Sequence, residues 1–315
     1  KGLESKRIRE NRNAGVTEKN MQTFIVKNNL LNVELRLGNI CNSKCLICNP
    51  FSSSKWNEDV SVIDTNKFGG DYIKTINREW YRDETIYDDL LKHSKHINRV
   101  WFNGGEPTLI KEHFYFLDKL INLKLSKNIS LEYHINGTNL PDKLVKLWDN
   151  FKEVFITISL DDIGDRLYYH RYPSVYDTVF SNIYKLKKSN IILDIIPTVS
   201  LYNIYNIKNI WDEISTIKHI NGMALNFVSH PNFLSIQNLP KEEKNKLQND
   251  LVNSNIPKVY VDELIYNLNL SEDGNMNLFF EFTEKLDLKR NLSIQQYLPE
   301  YEAMYSSYII YKPII

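Results

Sequence analysis

The sequence predicts an α/β fold, a curved and partly open barrel of six parallel strands joined by crossover helices. Three observations carry that expectation. Short apolar or alternating runs recur six times along the 315 residues, and helical patterns separate most of them. Most of the runs end in loops that carry glycine, asparagine or aspartate. Six units are too few to close an eight-stranded barrel, which leaves a partial (β/α)6, TIM-like open barrel.

The first strand, 32–37 (NVELRL), alternates apolar and polar residues and is followed by Gly38. The second, 98–102 (NRVWF), ends at Gly104-Gly105-Glu106-Pro107. The third, 130–135 (SLEYHI), ends at Asn136-Gly137-Thr138, and the fourth, 153–160 (EVFITISL), at Asp161-Asp162. The fifth and sixth cover 191–200 and 222–228. Between them, 111–125, 141–150, 175–188 and 204–218 have helical patterns, with Pro141 suited to a first helical turn. The connection from Cys48 to the second strand is longer than one crossover helix needs. An inserted segment carrying Trp56, Gly69-Gly70, Trp80 and Tyr81 is therefore expected beside the first loop. Residues 1–31 read as a charged N-terminal arm with a helix over 4–11, residues 32–230 as the barrel core, and residues 231–315 as a helical C-terminal extension, clearest at 241–252 and 276–287. In such folds the loops at the carboxyl ends of the strands converge, so the polar residues there are the candidate site.

Composition excludes several classes. Lys+Arg and Asp+Glu both number 39, so no whole-chain attraction to nucleic acid or anionic lipid is expected. With 42% apolar and 25% charged residues the chain can bury a core. No apolar run approaches the ~18 residues of a membrane helix. Nothing resembles a secretion signal, and a cytoplasmic protein without membrane or evident nucleic-acid partners is expected.

All three cysteines fall in one C-x3-C-x2-C run, Cys41, Cys45 and Cys48, which opens at the end of the first strand. Three clustered thiols cannot form a disulfide framework and read as a metal site. A three-thiolate loop suits a [4Fe–4S] cluster with one iron left open. Two alternatives remain: structural zinc with a histidine as fourth ligand, and plain buried thiols, which sit poorly beside Asn42, Ser43, Lys44 and Asn49.

Taken together, Cys41-Asn42-Ser43-Lys44-Cys45-Leu46-Ile47-Cys48, Gly104-Gly105-Glu106-Pro107, the Asn136-Gly137-Thr138 turn and Ser159-Leu160-Asp161-Asp162 resemble, in order, the radical S-adenosylmethionine (SAM) superfamily over about residues 30–230. The wider pattern is similar to twitch-domain-containing radical SAM proteins, many of them phage-encoded. Glu4-Ser5-Lys6-Arg7, the run from Cys48 to Trp56 and Leu239-Pro240 carry that part of the likeness.

The resemblance implies an enzyme, an oxidoreductase or transferase-like catalyst. Cys41, Cys45 and Cys48 would hold a [4Fe–4S] cluster whose open iron chelates SAM. Reductive cleavage would then give a 5′-deoxyadenosyl radical that abstracts hydrogen. It places Gly104, Gly105, Glu106 and Pro107 at the methionine amino group, Arg171 at the SAM carboxylate, Ser159 at the carboxylate or ribose, and Asn136 with Thr138 on the same face. Asn203 is a further candidate for the ribose, whereas His134 reads as a core histidine. The residue before the third cysteine, aromatic in most of the family, is here Ile47. A peptide or protein substrate is expected, with a small metabolite or nucleotide as the rival and a non-catalytic zinc module as the reading of another class. The electron donor would be of the flavodoxin or ferredoxin type. No cysteine follows Cys48, so a C-terminal auxiliary cluster is not expected. Because the first residue is Lys1, two further expectations stand side by side: an upstream segment bearing a second cluster, or a plain boundary.

Overall fold

The structure, a computed structural model, describes residues 30–75, 79–271 and 276–311. The helix expected over 4–11 lies outside the described residues. Six strands form one sheet in sequence order: β1 (Asn32–Arg36), β2 (Arg99–Asn103), β3 (Ser130–Ile135), β4 (Glu153–Ile158), β5 (Ile191–Ile195) and β6 (Ile220–Met223). Every neighbouring pair is parallel. Strict sequential order means that each crossover winds the same way, and the sheet stays open between β1 and β6.

The strands alternate in burial. Val33 and Leu35, Val100 and Phe102, Tyr133 and Ile135, and Val154, Ile156 and Ile158 are buried. Their neighbours Glu34, Arg36, Asn103, Glu132, His134 and Thr157 point to the other, partly open face. Helices α1 (Glu84–Lys92), α2 (His113–Asn122), α3 (Asp142–Trp148), α4 (Gly164–His170), α5 (Tyr176–Lys185) and α6 (Ile207–Ser215) fill the crossovers. The apolar stripe of α2, Phe114, Phe116, Leu117 and Leu120, is almost fully buried, as a crossover helix on a parallel sheet requires.

Two expected strands are shorter than their apolar runs. The fifth breaks after Ile195 because Pro197 has no N–H for the ladder, and Thr198–Val199 instead pairs with Asn226–Phe227 in a separate two-stranded ribbon. The same ribbon divides the sixth run. Pro141 stands one residue before α3, at its N-cap. Helices α1 and α4 had no clear sequence signal. Both are short.

The C-terminal region is helical: α7 (Lys241–Val252), α8 (Lys258–Leu268), α9 (Asn277–Arg290) and α10 (Glu302–Tyr311). Phe282 of α9 lies 5.0–6.3 Å, ring to ring, from Trp56, Phe68, Tyr72 and Phe233. This aromatic cluster fastens α9 to the segment inserted after the cysteine loop. The buried apolar side chains of sheet, insert and C-terminal helices form one continuous cluster. Among the described residues no helix is long and apolar enough to cross a membrane.

Candidate functional site

The loop after β1 carries Cys41, Cys45 and Cys48, and it is held by backbone hydrogen bonds from two sides. On one side, Gly105 N donates to Gly38 O at 3.0 Å and Glu106 N to Ile40 O at 2.7 Å. On the other, Lys44 N donates to Tyr172 O at 2.7 Å and Leu46 N to His170 O at 2.8 Å. The insert supplies a third support. Ser53 Oγ donates to Ser43 O at 2.5 Å, and Trp56 Nε1 to Cys45 O at 3.0 Å. Three separate stretches therefore shape one short loop.

The glycines serve this loop. A Cβ on Gly105 would lie 2.2 Å from Ile40 O, and one on Gly104 would lie 2.6 Å from Gly38 O. Gly104 also has φ +128°, a conformation that L side chains rarely adopt. The sequence reading gave both glycines a role in close approach of a ligand. The structure shows that their first necessity is close approach of the cysteine loop itself.

Glu106 is 1% exposed and its carboxylate is turned inward. Oε1 accepts from Thr108 N at 3.1 Å and from Thr108 Oγ1 at 2.6 Å, while Oε2 accepts from Asn136 N at 2.6 Å. It caps the short helix Pro107–Leu109, and Pro107 is buried with it. Burial raises the Glu106 pKa against these hydrogen bonds. The pair Glu106 and Pro107 thus braces the loops after β2 and β3.

Cys41, Cys45, Cys48, Gly104, Gly105, Asn136, Ser159 and Arg171 line one cavity of about 1030 Å³. Asn136 Nδ2 donates to Asn42 Oδ1 at 2.8 Å, and Asn42 Nδ2 donates to Thr138 Oγ1 at 2.7 Å, tying the Asn-Gly-Thr turn to the cysteine loop. Arg171 follows α4, and its Nη1 donates to Asp161 Oδ2. Asp161 is itself buried and accepts Thr198 N at 2.7 Å. Burial works against the Arg171 charge, yet Cys45 and Asp161 hold its pKa above the ordinary value. Its Nε is buried without a partner among the described residues. A buried donor of this kind is costly unless something accepts from it.

Two candidates move. Asn203 is fully buried, with Nδ2 donating to Asp161 O at 2.7 Å and Oδ1 accepting from Ser200 N at 2.8 Å. It builds the support of Asp161 and does not face the cavity. His134, expected in the core, instead lines the cavity. Its Nε2 lies 3.6 Å from Glu132 Oε1 and its ring 5.0 Å from Trp101. Trp80, expected in the insert beside the loop, stands on the cavity wall, and the sequence reading missed Arg36 and Asn103 there. Arg36 and Asn103 are register partners at the ends of β1 and β2. Strict alternation from the buried Leu35 and Phe102 would have placed both on the open face.

Burial raises the pKa of all three thiols, that of Cys45 to about 11. A metal bound there would have to displace those protons. Among the described residues no three His, Cys, Asp or Glu side chains gather closely enough for a single metal ion. A four-iron cubane is held through three separate irons, so its thiolates need not converge on one point.

A family model described as the radical SAM superfamily matches residues 35–216, more than half of the chain. The chain belongs to the radical SAM superfamily. No curated protein matches the sequence. Among solved structures, native anSMEcpe with bound AdoMet (S-adenosylmethionine) is similar in fold, with a TM-score of 0.52 and 17% identity over 80% of this chain and 65% of that one. The same protein with AdoMet and the Kp18Cys peptide gives 0.51 and 17%, over 80% and 64%. SuiB of Streptococcus suis bound to S-adenosylmethionine gives 0.49 and 16%, over 91% and 61%. The chain spans less than two thirds of the length of these structures. The cofactors of the superfamily are a [4Fe–4S] cluster and SAM. The residues fit them: three thiols share a cavity with two bare glycine backbones, and one buried guanidinium has a donor to spare.

Proposed function

We propose that this chain is a radical SAM enzyme that abstracts hydrogen from a peptide or protein substrate. The observation that carries the reading is the single cavity shared by the three cysteines, Gly104, Gly105, Asn136, Ser159 and Arg171. In this reading Cys41, Cys45 and Cys48 hold the cluster. Backbone at Gly104 and Gly105 receives the methionine amino group, and the free donor of Arg171 meets the SAM carboxylate, a planar, charge-assisted contact. Ser159 and Asn136 complete the polar wall. Glu106 and Pro107 act from behind by fixing that wall. When bound, the cofactors supply one-electron cleavage of the sulfonium and a 5′-deoxyadenosyl radical that abstracts hydrogen.

Two features favour a peptide over a small metabolite. The cavity opens past Phe51 and Ile73, both about half exposed, with Trp80 on its wall, an apolar rim suited to extended side chains. The anSMEcpe fold, which this chain resembles, is known with a peptide bound. In this reading a core over 32–230 carries the chemistry, a helical extension follows from 231, and the insert, which supplies Phe51, Ile73 and Trp80, frames substrate entry. An electron donor of the flavodoxin or ferredoxin type is the expected partner.

The test is anaerobic incubation of iron-reconstituted protein with SAM, reductant and candidate peptides encoded beside its gene. Formation of 5′-deoxyadenosine that rises severalfold with one peptide, together with a mass change in that peptide, supports the reading. Stimulation by a nucleotide or metabolite alone replaces the peptide with the rival substrate. A colourless protein with one zinc and no iron supports the non-catalytic module.

A further inference from the structure

We propose that Arg290, in the last turn of α9, together with Lys44 forms a buried cation pair that stabilises negative charge on the cysteine loop and so raises the reduction potential of the cluster bound there. Lys44 lies between Cys41 and Cys45, and its Nζ is 2.8 Å from Asp59 Oδ1. Arg290 Nε is 2.8 Å from the other oxygen, Asp59 Oδ2. One carboxylate thus serves two cations. The Arg290 and Asp59 side chains are 1% and 0% exposed.

The guanidinium packs on the residues that hold the loop. It lies 5.0 Å from the Trp56 ring and 5.6 Å from the Tyr172 ring. Trp56 donates to Cys45 O, and Tyr172 O accepts Lys44 N. Arg290 therefore reaches the cluster site through charge and through the loop backbone, as a positioning residue rather than a ligand.

The hydrogen bonding of the Arg290 guanidinium is incomplete. Nη1 and Nη2 of Arg290 are buried without partners among the described residues. Glu58 approaches Lys44 at 3.2 Å, but from a half-exposed position where solvent screens it. Asp287, one turn before Arg290, accepts from Ile294 N at 2.6 Å and also feels the Arg290 charge, which favours its ionised form. A buried donor without an acceptor is costly. A three-thiolate [4Fe–4S]²⁺ site carries one net negative charge, which becomes two when a reductant adds one electron. Nearby fixed positive charge favours the more negative, reduced state.

The inference rests on the cluster but not on the substrate, so its test omits substrate. Reconstituted wild type, Arg290→Gln and Arg290→Lys are titrated anaerobically with dithionite and followed by electron paramagnetic resonance, with iron content measured in each. At a fixed poise, Arg290→Gln should hold about tenfold less reduced cluster, a downward shift of ~59 mV for a one-electron couple. Arg290→Lys, which keeps the charge, should recover most of that difference. Full iron with an unchanged potential in Arg290→Gln would overturn the proposal. So would an equal shift in both variants, since packing rather than charge would then be responsible. If Arg290→Gln takes up no iron, Lys44→Gln is read by the same titration, and an unchanged potential there has the same consequence. Failure of both variants to take up iron also overturns the tuning role.

Discussion

The Glu106 carboxylate accepts the backbone N–H of Asn136 at 2.6 Å, so one buried side chain joins the loops that follow β2 and β3. Both loops border the cysteine loop. Glu106→Ala would leave the Asn136 and Thr108 backbone donors unpaired inside the protein. We expect it to lower folding stability by about 2–4 kcal/mol, read by urea denaturation of the apo protein. Weaker SAM binding should follow as a consequence of displaced loops.

Gly105→Ala should damage the cysteine loop before it touches SAM. Its Cβ would stand 2.2 Å from Ile40 O, which is backbone and cannot rotate away. The expected result is a loss of about 1–3 kcal/mol in stability together with reduced iron uptake. Normal iron content combined with lost SAM affinity would instead favour a direct role against the ligand.

Arg171→Ala should weaken SAM binding by about 1–3 kcal/mol, the loss of a hydrogen bond to a charged group. The same change strips Asp161 of its ion-pair partner. Equilibrium binding of SAM to the reconstituted protein measures the first effect, and the melting temperature of the apo protein measures the second. Unchanged affinity would remove Arg171 from the proposed binding set.

Burial raises the Asp287 pKa from 3.8 to about 6. The folded state then binds more protons than the unfolded state between those values, so this residue's contribution falls as pH rises from about 4 to 6. The expected loss is on the order of 1–3 kcal/mol across that window. Asp287→Asn should flatten that part of the stability profile. A wild-type slope retained in the variant would assign the dependence to another group.

The chemistry-bearing loops were legible in the sequence because each follows a strand and each requires unusual residue types. Cys41, Cys45 and Cys48 are the chain's only cysteines, and Gly104-Gly105 lies at a strand end. What the sequence could not convey was direction. Glu106 reads as a ligand because it sits in the motif, yet three hydrogen bonds from Thr108 and Asn136 turn it inward. Asn203 was misplaced for the same reason, because its buried bonds to Asp161 and Ser200 depend on tertiary neighbours. The contact of Arg290 with Asp59 spans 231 residues, and no local pattern encodes such a separation. His134 is the opposite case. Alternation along β3 places it beside Glu132 on the open face, and its apolar neighbours in sequence obscured this.

The central claim is that Cys41, Cys45 and Cys48 present a cluster to SAM inside the shared cavity. It is tested most directly by measuring 5′-deoxyadenosine and methionine after anaerobic reduction of the iron-reconstituted protein with SAM. The account predicts about four irons per chain, both products in equal amounts, and neither product from Cys45→Ala. A fully iron-loaded protein that leaves SAM intact, or a Cys45→Ala variant that still cleaves it, would contradict the account.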